Sequence, residues 1–399
     1  MEVMLKYWIW LTTRKYVGTR GAYLLLRHFG SPEAVYFAEE NAYKAVSAIR
    51  NPKGLLDKDL GGAEKILRAC HEKGLFVLTM QDAAYPHRLR VLDDPPLVLY
   101  GKGTLPDLDG PVIGVVGTRY ASLYGMQQAR RMGYGLSRCG ATVVSGGAKG
   151  IDTEALEGAL LGGNPVVAVL GNGVDVVYPA GNRKLFSDVA AKGCLLSEYP
   201  PGTPPNREHF PVRNRIISGL SMGVLVVEAP DPSGALITAN KALDQGRDVF
   251  ALPANVGQET GKGNLQLLRD GAILVRDPWE VLEEYQGQYP ALQSRDCRGW
   301  EKEPVEIQRP EMSDAADEKG IDKGKASQYI DAKKILDALT PEEQRLVLLL
   351  EQGPVHIDTL SEQMGQPAGG VLALLTMLEV RGLIKHLPGR MFSLAEAEN

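Results

Sequence analysis

A glycine-rich turn that ends in a lysine and a further glycine is the first place in this sequence where residue types and spacing could do chemistry. The stretch VVSGGAKGIDTEAL passes from apolar β-branched residues through Ser145 into the turn and then into a helix. Because glycine has no Cβ, Gly146, Gly147 and Gly150 let backbone N–H groups approach an anion, and the N-terminus of the helix adds partial positive charge. Lys149 adds a full charge. The run is neither GxGxxG nor Walker A, so it predicts a phosphate-binding turn without specifying a nucleotide cofactor.

The first turn of the following helix carries a charge of the opposite sign, Asp152. Aspartate is favoured at the start of a helix, where it caps backbone N–H groups. We therefore expect Asp152 to act as a helix cap and to disfavour an anion placed directly above it.

A second candidate lies at the end of the apolar run VIGVVGT. Gly117 and Thr118 are expected to form a strand-to-helix turn, and Arg119 follows where the carboxyl ends of parallel strands converge. The planar fork of an arginine suits phosphate oxygens. The alternative is that Arg119 is an ordinary surface arginine.

The third candidate is a basic cluster in the stretch NREHFPVRNRIISGLS. Within nine residues it contains Arg207, His209, Arg213 and Arg215, with Phe210 between them and Asn214 between the last two arginines. Basic residues interleaved with an aromatic side chain suit single-stranded nucleic acid, because the cations neutralise phosphates and the ring stacks on a base. The cluster predicts a binding surface for single-stranded nucleic acid.

Some members of this cluster also have purely structural interpretations. Phe210 precedes a proline at a helix entry and could instead pack in the core. Arg213 and Arg215 could form structural ion pairs, with Glu198 or Glu228 as partners. The sequence leaves these alternatives open.

Composition limits the function classes. The chain has 399 residues, enough for two or three domains, and a formal net charge of −5, so nucleic-acid binding would need a local basic patch. Four cysteines without CxxC spacing argue against a zinc site or a disulfide framework and indicate a reducing cytoplasm. The sequence contains no HExxH motif. We predict no catalytic residue, no metal and no cofactor.

The elements that must position these residues fall into four regions: residues 1–72, 73–285, 286–333 and 334–399. In residues 73–285, nearly continuous apolar runs alternate with helical segments, as in a parallel sheet covered on both faces. The strands are expected in VIGVVGT, ATVVSGG, PVVAVLGNG, CLLSEYP, MGVLVVEA, RDVFALP and AILV. The predicted fold class is α/β, a Rossmann-like doubly wound, mainly parallel sheet with a small N-terminal helical domain and a C-terminal winged helix.

The N-terminal region is expected to be helical. Its first segment, MEVMLKYWIWLTTRKYVG, is too short to span a bilayer and carries Glu2 and Lys6, so it predicts a buried helix and no membrane span. Gly30 should end one helix and Ser31 should cap the next. The glycine turn in YVGTRGAYLLLRHFG resembles SAM-like and helix-hairpin-helix modules, and a simple helical bundle is the alternative.

The last two regions differ sharply in composition. Residues 286–333 are polar and charged and predict a flexible linker. After a Thr340 cap, three helices and a hairpin turning at Pro388-Gly389 predict the winged helix. Its presumed recognition helix, PAGGVLALLTMLEVRG, has only Arg381 of the base-reading side-chain types, so sequence-specific reading of duplex DNA is not expected.

Taken together, these motifs resemble one family. VIGVVGTR, VVSGGAKGIDTEAL, VVAVLGNGVDVVYPAGNRKL, HFPVRNRIISGLS and SGALITANKALDQGRDVFALP follow the pattern of DNA-processing protein A, also called DprA or Smf. The resemblance is strong over about residues 75–285 and weaker at both ends. One departure is Pro253-Ala254, where the family usually has Pro-Gly.

The resemblance implies a non-enzymatic, cytoplasmic protein that binds single-stranded DNA, protects incoming strands and helps to load the RecA recombinase in natural transformation. It further implies a homodimer formed through the Rossmann-like domain, with single-stranded DNA-binding protein as a further candidate partner. The DNA pocket would include Arg119, Gly146, Gly147, Lys149, Arg207 and Phe210. Arg119 and Arg207 would hold phosphates, Phe210 would contact a base, and Arg213 and Arg215 would line the same region.

Two enzymatic alternatives are weaker. The core is also similar to enzymes that cleave the N-glycosidic bond of nucleoside monophosphates, but the comparable stretch, PSGALITAN, lacks their paired glycines and their glutamate. An NAD-dependent dehydrogenase would need a GxGxxG turn and an acidic residue after the second strand, and neither is present.

Overall fold

The computed structural model describes residues 2–292, 340–350, 355–366, 368–380, 384–387 and 391–394. The chain forms two compact units, Met1–Ala315 and Ala316–Asn399. The predicted linker, residues 286–333, lies outside the described residues from position 293 onward.

The first unit begins with six helices: α1 Glu2–Thr12, α2 Gly18–Phe29, α3 Pro32–Phe37, α4 Glu40–Tyr43, α5 Lys53–Leu56 and α6 Gly61–Glu72. Gly30 ends α2 with a positive φ of 85°, and the Ser31 side chain caps α3 by accepting a hydrogen bond from the backbone N–H of Ala34 at 3.1 Å. Both boundaries confirm the sequence expectation. Apolar residues of α1, among them Trp10, are buried.

A nine-stranded sheet forms the centre of this unit. Its strands are β1 Phe76–Thr79, β2 Val98–Gly103, β3 Val112–Val116, β4 Thr142–Ser145, β5 Val166–Val169, β6 Cys194–Ser197, β7 Gly223–Val226, β8 Asp248–Ala251 and β9 Ile273–Leu274. They lie in the order β1-β2-β6-β5-β4-β3-β7-β8-β9. The seven strands from β3 to β9 are parallel to one another, which confirms the mainly parallel sheet. The antiparallel strands β1 and β2 were not among the predicted strands.

Helices cover both faces of the sheet, as in a doubly wound fold. They are α7 His87–Arg90, α8 Leu123–Arg138, α9 Ile151–Gly162, α10 Arg183–Lys192, α11 His209–Leu220, α12 Gly234–Asp244, α13 Lys262–Arg269 and α14 Pro278–Leu282, with short 3-10 helices at Ala180–Asn182, Glu259–Gly261 and Glu283–Tyr285. One apolar core contains residues of α8, α9, α10 and the N-terminal helices, and the other contains residues of α7, α11, α12 and α13. The arrangement brings the carboxyl ends of β3, β4 and β5 beside the N-termini of α9 and α11.

The second unit contains α15 Pro341–Leu350, α16 Ile357–Met364 and α17 Ala368–Val380, with strands β10 Val355–His356, β11 Ile384–Leu387 and β12 Met391–Leu394 in the order β10-β12-β11. Three helices with a small antiparallel sheet make the predicted winged helix. The Thr340 hydroxyl accepts a hydrogen bond from the backbone N–H of Glu343 at 3.4 Å, as a helix cap does. The predicted hairpin turn at Pro388-Gly389 and Arg381 lie outside the described residues.

The apolar helix of this unit, α17, contributes to a core. Val371, Leu375 and Leu378 are fully buried in it. These buried side chains help to form the core of the winged helix.

Two general sequence expectations have structural counterparts. Among the described residues, no helix combines the length and the apolarity needed to cross a membrane. Cys70 and Cys194 are free and buried. Cys139 is disulfide-bonded, which the scattered cysteine spacing did not predict.

Candidate nucleic-acid interface

The candidate site is built around the glycine loop, residues 145–150, between β4 and α9. Gly147 has a φ of 66° and Gly150 a φ of 78°, conformations that side-chain-bearing residues rarely adopt. Gly146 is needed for space, because a Cβ there would lie 2.6 Å from side-chain atoms of both Arg213 and Asp152. The glycine run is therefore required by backbone conformation and by close packing as well as by any ligand.

Hydrogen bonds from neighbouring side chains fix the shape of the glycine loop. The Asn182 side chain donates to the Gly147 carbonyl at 2.9 Å and to the Thr153 hydroxyl at 2.9 Å. Thr153 in turn donates to the Ala148 carbonyl at 2.7 Å. Lys149, at the tip, is exposed to solvent. The loop thus presents its lysine outward from a fixed backbone.

The turn after β3 packs directly against this loop. The Ser145 hydroxyl donates to the Val115 carbonyl at 2.7 Å, and the Ile151 N–H donates to the Thr118 carbonyl at 3.2 Å. A Cβ on Gly117 would lie 2.4 Å from the Ile151 side chain, so glycine permits this approach. The ends of β3 and β4 therefore form one continuous edge of the site.

Asp152 does not have the role expected from the sequence. The residue at the N-cap of α9 is Gly150, and the buried Asp152 carboxylate instead turns back and accepts hydrogen bonds from the backbone of Ala148, at 3.4 Å, and of Gly146. Burial raises the pKa of Asp152 above its usual range, and the Arg213 guanidinium opposes this shift. Part of the N–H surface that was predicted for an external anion therefore already faces an internal carboxylate.

We expect Asp152→Asn to strengthen binding of an oligothymidylate about 3- to 10-fold at neutral pH, because a like charge beside the phosphate is removed. The parent protein should bind more tightly as the pH falls from 8 towards 5, since a raised pKa lets Asp152 take up a proton in that direction. Asp152→Asn should lack this part of the pH dependence. Fluorescence anisotropy at constant ionic strength measures both effects.

Asp188→Asn, which removes an exposed carboxylate from α10, is the matched control. Equal affinities of Asp152→Asn and the parent at every pH would contradict the prediction.

Arg119 and Phe210, far apart in sequence, come together in the fold. The guanidinium carbon of the exposed Arg119 lies 5.4 Å from the centroid of the Phe210 ring. The half-buried ring packs against Gly171, where a Cβ would lie 2.8 Å from it, and its centroid is 5.7 Å from that of Tyr178. The core-packing alternative therefore holds only in part for Phe210. One part of its ring packs against Gly171 and Tyr178, and the ring also contacts the Arg119 guanidinium.

His209, a member of the basic cluster, and Tyr199, which the sequence analysis did not single out, hold the start of α11 and with it Phe210. The His209 Nδ1 atom lies 3.0 Å from the Gly171 carbonyl oxygen. Its ring stacks on Tyr199, with centroids 3.9 Å apart and an angle of 15° between the planes. The only local signal was the position of both aromatic residues near loop prolines, which does not reveal a stacked pair.

Arg213 is buried beneath the glycine loop and is not exposed to solvent. Its side chain is 4% exposed and donates to the Gly146 carbonyl at 2.8 Å and to the Val169 carbonyl, so it joins the ends of β4 and β5. Its guanidinium also lies 6.0 Å from the Phe210 ring. Burial lowers the pKa of Arg213 to about 10, which leaves it charged at neutral pH. Its described hydrogen bonds go to the protein, and the expectation that Arg213 lines the DNA-binding region stays a prediction.

Arg215 is likewise structural. It forms ion pairs with Glu198 at 2.6 Å and with Asp94 at 3.1 Å, and its side chain is buried. The ion-pairing alternative with Glu198 therefore describes Arg215. Asn214, also buried, donates to the Gly234 carbonyl at 3.4 Å, which directs it towards α12.

Glu228 positions the loop that carries Arg119. Its carboxylate accepts hydrogen bonds from the Ser122 N–H at 2.8 Å and from the Thr260 hydroxyl at 2.5 Å, and its carbonyl accepts from the Thr118 N–H at 2.8 Å. These contacts flank Arg119 on both sides in sequence. Glu228 was suggested as an ion-pair partner of Arg213 or Arg215, but its described hydrogen bonds go to Ser122, Thr260 and Thr118.

The structure brings some of the predicted residues into one cluster. Arg119 contacts Phe210, and Phe210 is linked through Arg213 to Gly146 in the glycine loop. Arg207 is exposed in the turn that precedes α11. Within the described part of the chain, no group of three or more His, Cys, Asp or Glu side chains is arranged to hold a metal ion. The cluster offers exposed cations, an aromatic ring and a helix N-terminus, which are elements of phosphate and base recognition.

Family models match two parts of the chain. A model described as DNA recombination-mediator protein A matches residues 76–286. A model of the DprA winged helix domain matches residues 331–390.

Individual proteins are also similar. Protein Smf of Synechocystis is 33% identical over 396 residues, which cover 97% of this chain and 98% of the relative. DNA processing protein DprA of Bacillus subtilis is 39% identical over 221 residues, 55% of this chain and 74% of the relative. The X-ray structure of DNA processing protein A from Streptococcus pneumoniae superimposes with a TM-score of 0.63 at 34% identity, covering 70% of this chain and 97% of that one.

Proposed function

The chain belongs to the family of DNA processing protein A, also named Smf, and from this premise we propose that it binds single-stranded DNA through the surface around Arg119 and Phe210. The observation that carries the proposal is the contact between these two side chains beside the glycine loop, at 5.4 Å. A guanidinium suits a phosphate and an aromatic ring suits a base. The pair can therefore bind the phosphate of a nucleotide through Arg119 and its base through Phe210.

Binding would involve a small rearrangement of this pair. In the free protein the Arg119 guanidinium lies over the Phe210 ring. Because Arg119 is exposed, it can turn towards a phosphate and leave the ring to a base. Single strands offer unstacked bases for such a contact, whereas the bases of a duplex are stacked on each other. The proposed ligand is therefore single-stranded, with little sequence preference.

The enzymatic alternative finds less support at the β3–β7 crevice, where open α/β sheets bind nucleotides. Residues after these two strands are already engaged with each other, since Glu228 is bonded to Ser122 and Thr260. In the stretch comparable to the glycosidase signature, Ser233 caps α12 and the buried Thr238 donates to the Gly234 carbonyl at 3.3 Å. Incubation with nucleoside monophosphates and chromatography for free base tests this alternative.

We expect Phe210→Ala to weaken oligothymidylate binding about tenfold, because one base-stacking platform is removed. Phe210→Leu should keep the packing against Gly171 but not the aromatic face, and so should show most of the same loss of affinity. Val212→Ala on the same helix is the control. Ultraviolet cross-linking to oligothymidylate, mapped by mass spectrometry, should place the cross-link at Phe210. Unchanged affinity of Phe210→Leu together with a cross-link elsewhere would refute the proposed site.

The finer parts of the proposal follow the family. The protein would protect incoming single strands in natural transformation and help to load RecA onto them, acting in the cytoplasm as a homodimer formed through the Rossmann-like domain. Single-stranded DNA-binding protein would be a further partner. The rate of RecA filament formation on strands coated with that protein, with and without this chain, tests the loading role, and sedimentation tests the dimer.

A further inference from the structure

Three large side chains remain exposed directly after Arg119. Tyr120 is 72% exposed, Leu123 is 51% exposed and Tyr124 is 54% exposed. Elsewhere in the described part of the chain, the aromatic side chains exposed to this degree are Tyr16 and Phe37, which lie far apart from each other in sequence. Two exposed rings within five residues are therefore a distinct feature of the Arg119 loop.

The exposure of these rings does not come from a frayed segment. The Tyr120 N–H donates to the Thr118 hydroxyl at 3.2 Å. Ser122 caps α8 by accepting from the Gly125 N–H at 3.0 Å, and its own N–H is bound by Glu228. The backbone on both sides of the rings is thus held by specific hydrogen bonds, and the fold presents the rings to solvent from a fixed loop.

We propose that Tyr120 and Tyr124 form a second base-stacking platform that continues the path of the single strand beyond Phe210. The proposal rests on the proposed function. The occupant follows from continuity, because Tyr120 directly follows Arg119, the cation that contacts Phe210, and Tyr124 lies in the first turn of α8, into which the same loop leads. A strand whose phosphate is held by Arg119 carries its neighbouring bases past this loop. Stacking on exposed tyrosine suits such a role because every base has a π face, so it requires no sequence readout.

The test compares two ligands of equal length and charge: a short oligothymidylate and the same backbone with abasic residues in place of thymidines. We expect the double variant Tyr120→Ala/Tyr124→Ala to bind oligothymidylate about tenfold more weakly than the parent. Its affinity for the abasic strand and its salt dependence should be unchanged, because the cations remain. The double variant Tyr120→Phe/Tyr124→Phe keeps both rings and should retain parental affinity.

Tyr16→Ala, which removes an equally exposed ring (70%) from the turn between α1 and α2, should leave both affinities unchanged. Parental oligothymidylate affinity in the alanine double variant would overturn the platform while leaving the proposed function intact. An equal loss for both strands would overturn it as well, because it would show a general defect. Loss of self-association in sedimentation without any change in DNA affinity would assign the rings to a contact between copies of the chain. Failure of the parent to bind either strand would refute the proposed function itself, and the platform with it.

Discussion

Arg119→Ala should weaken binding of single-stranded DNA about 10- to 150-fold, the effect of removing a charge-assisted hydrogen bond of about 1.5–3 kcal/mol. Arg119 is exposed, lies over the Phe210 ring, and sits on a loop that Glu228 holds in place. The logarithm of the affinity should also depend less steeply on the logarithm of salt concentration, by about 0.7 for each phosphate of a single strand that is no longer neutralised. Titrations by fluorescence anisotropy at several salt concentrations measure both quantities.

Two control variants separate this interaction from general charge. Arg138→Ala removes the same charge from the C-terminal end of α8. From there the chain enters β4 at the amino end of the strand, away from the carboxyl ends that carry the site. This variant should change the affinity little. Arg119→Lys keeps the charge but loses the planar fork, so it should restore the salt dependence and only part of the affinity. The prediction fails if Arg119→Ala and Arg138→Ala have the same affinity and the same slope.

The second large effect concerns folding. Arg215→Ala should lower the free energy of unfolding by about 3–5 kcal/mol, because it leaves the Glu198 carboxylate, whose side chain is only 10% exposed, without this partner. Denaturant unfolding followed by circular dichroism measures this change. Arg119→Ala should unfold like the parent, so the two variants would separate an arginine that binds from one that holds the fold.

The pH dependence of this destabilisation has a definite sign. Burial raises the pKa of Glu198, and Arg215 lowers it. Without Arg215 the folded-state pKa rises further, while the unfolded-state value is unchanged. A carboxyl with a raised folded-state pKa stabilises the fold when protonated and loses this contribution as the pH rises, so the deficit of Arg215→Ala should grow as the pH rises above the usual range of a glutamate.

A double variant gives a second test of the structural role of the Arg215–Glu198 ion pair. Arg215→Met with Glu198→Leu removes both buried charges at once and should recover much of the stability. A deficit that does not depend on pH and is not relieved in the double variant would show that packing, and not the ion pair, is what Arg215 supplies.

Local sequence patterns were enough to predict the parallel strands and the glycine loop. Continuous apolar runs such as VIGVVGT report burial on both faces, and glycines with a following helix report a turn whose conformation only glycine adopts readily. Strands β1 and β2 were missed because β2 joins the sheet by pairing with β6, for example Tyr100 with Ser197, across many intervening residues, and β1 then pairs with β2. Such pairing joins residues that are distant in the chain, so a short stretch of sequence does not predict it.

The same limit applies to the arginines of the basic cluster. Arg207, Arg213 and Arg215 look alike in sequence, but α11 turns the last two inward and leaves Arg207 in the exposed turn before the helix. The carboxylates that face them come from distant segments. Asp152 shows the same effect at the glycine loop, where its expected role as a helix cap was wrong because the preceding loop folds back over it.

The hydrogen bonds that fix the glycine loop have a kinetic consequence. Asn182 and Thr153 hold the Gly147 and Ala148 carbonyls in the free protein. The loop is therefore already ordered, and binding does not carry the conformational-entropy cost of ordering it. Encounter with a strand can then be governed by charge and diffusion, with little waiting for a loop to form. Uncharged variants of the site such as Phe210→Leu should accordingly keep the association rate of the parent and differ mainly in how long a strand stays bound, whereas Arg119→Ala should also slow association.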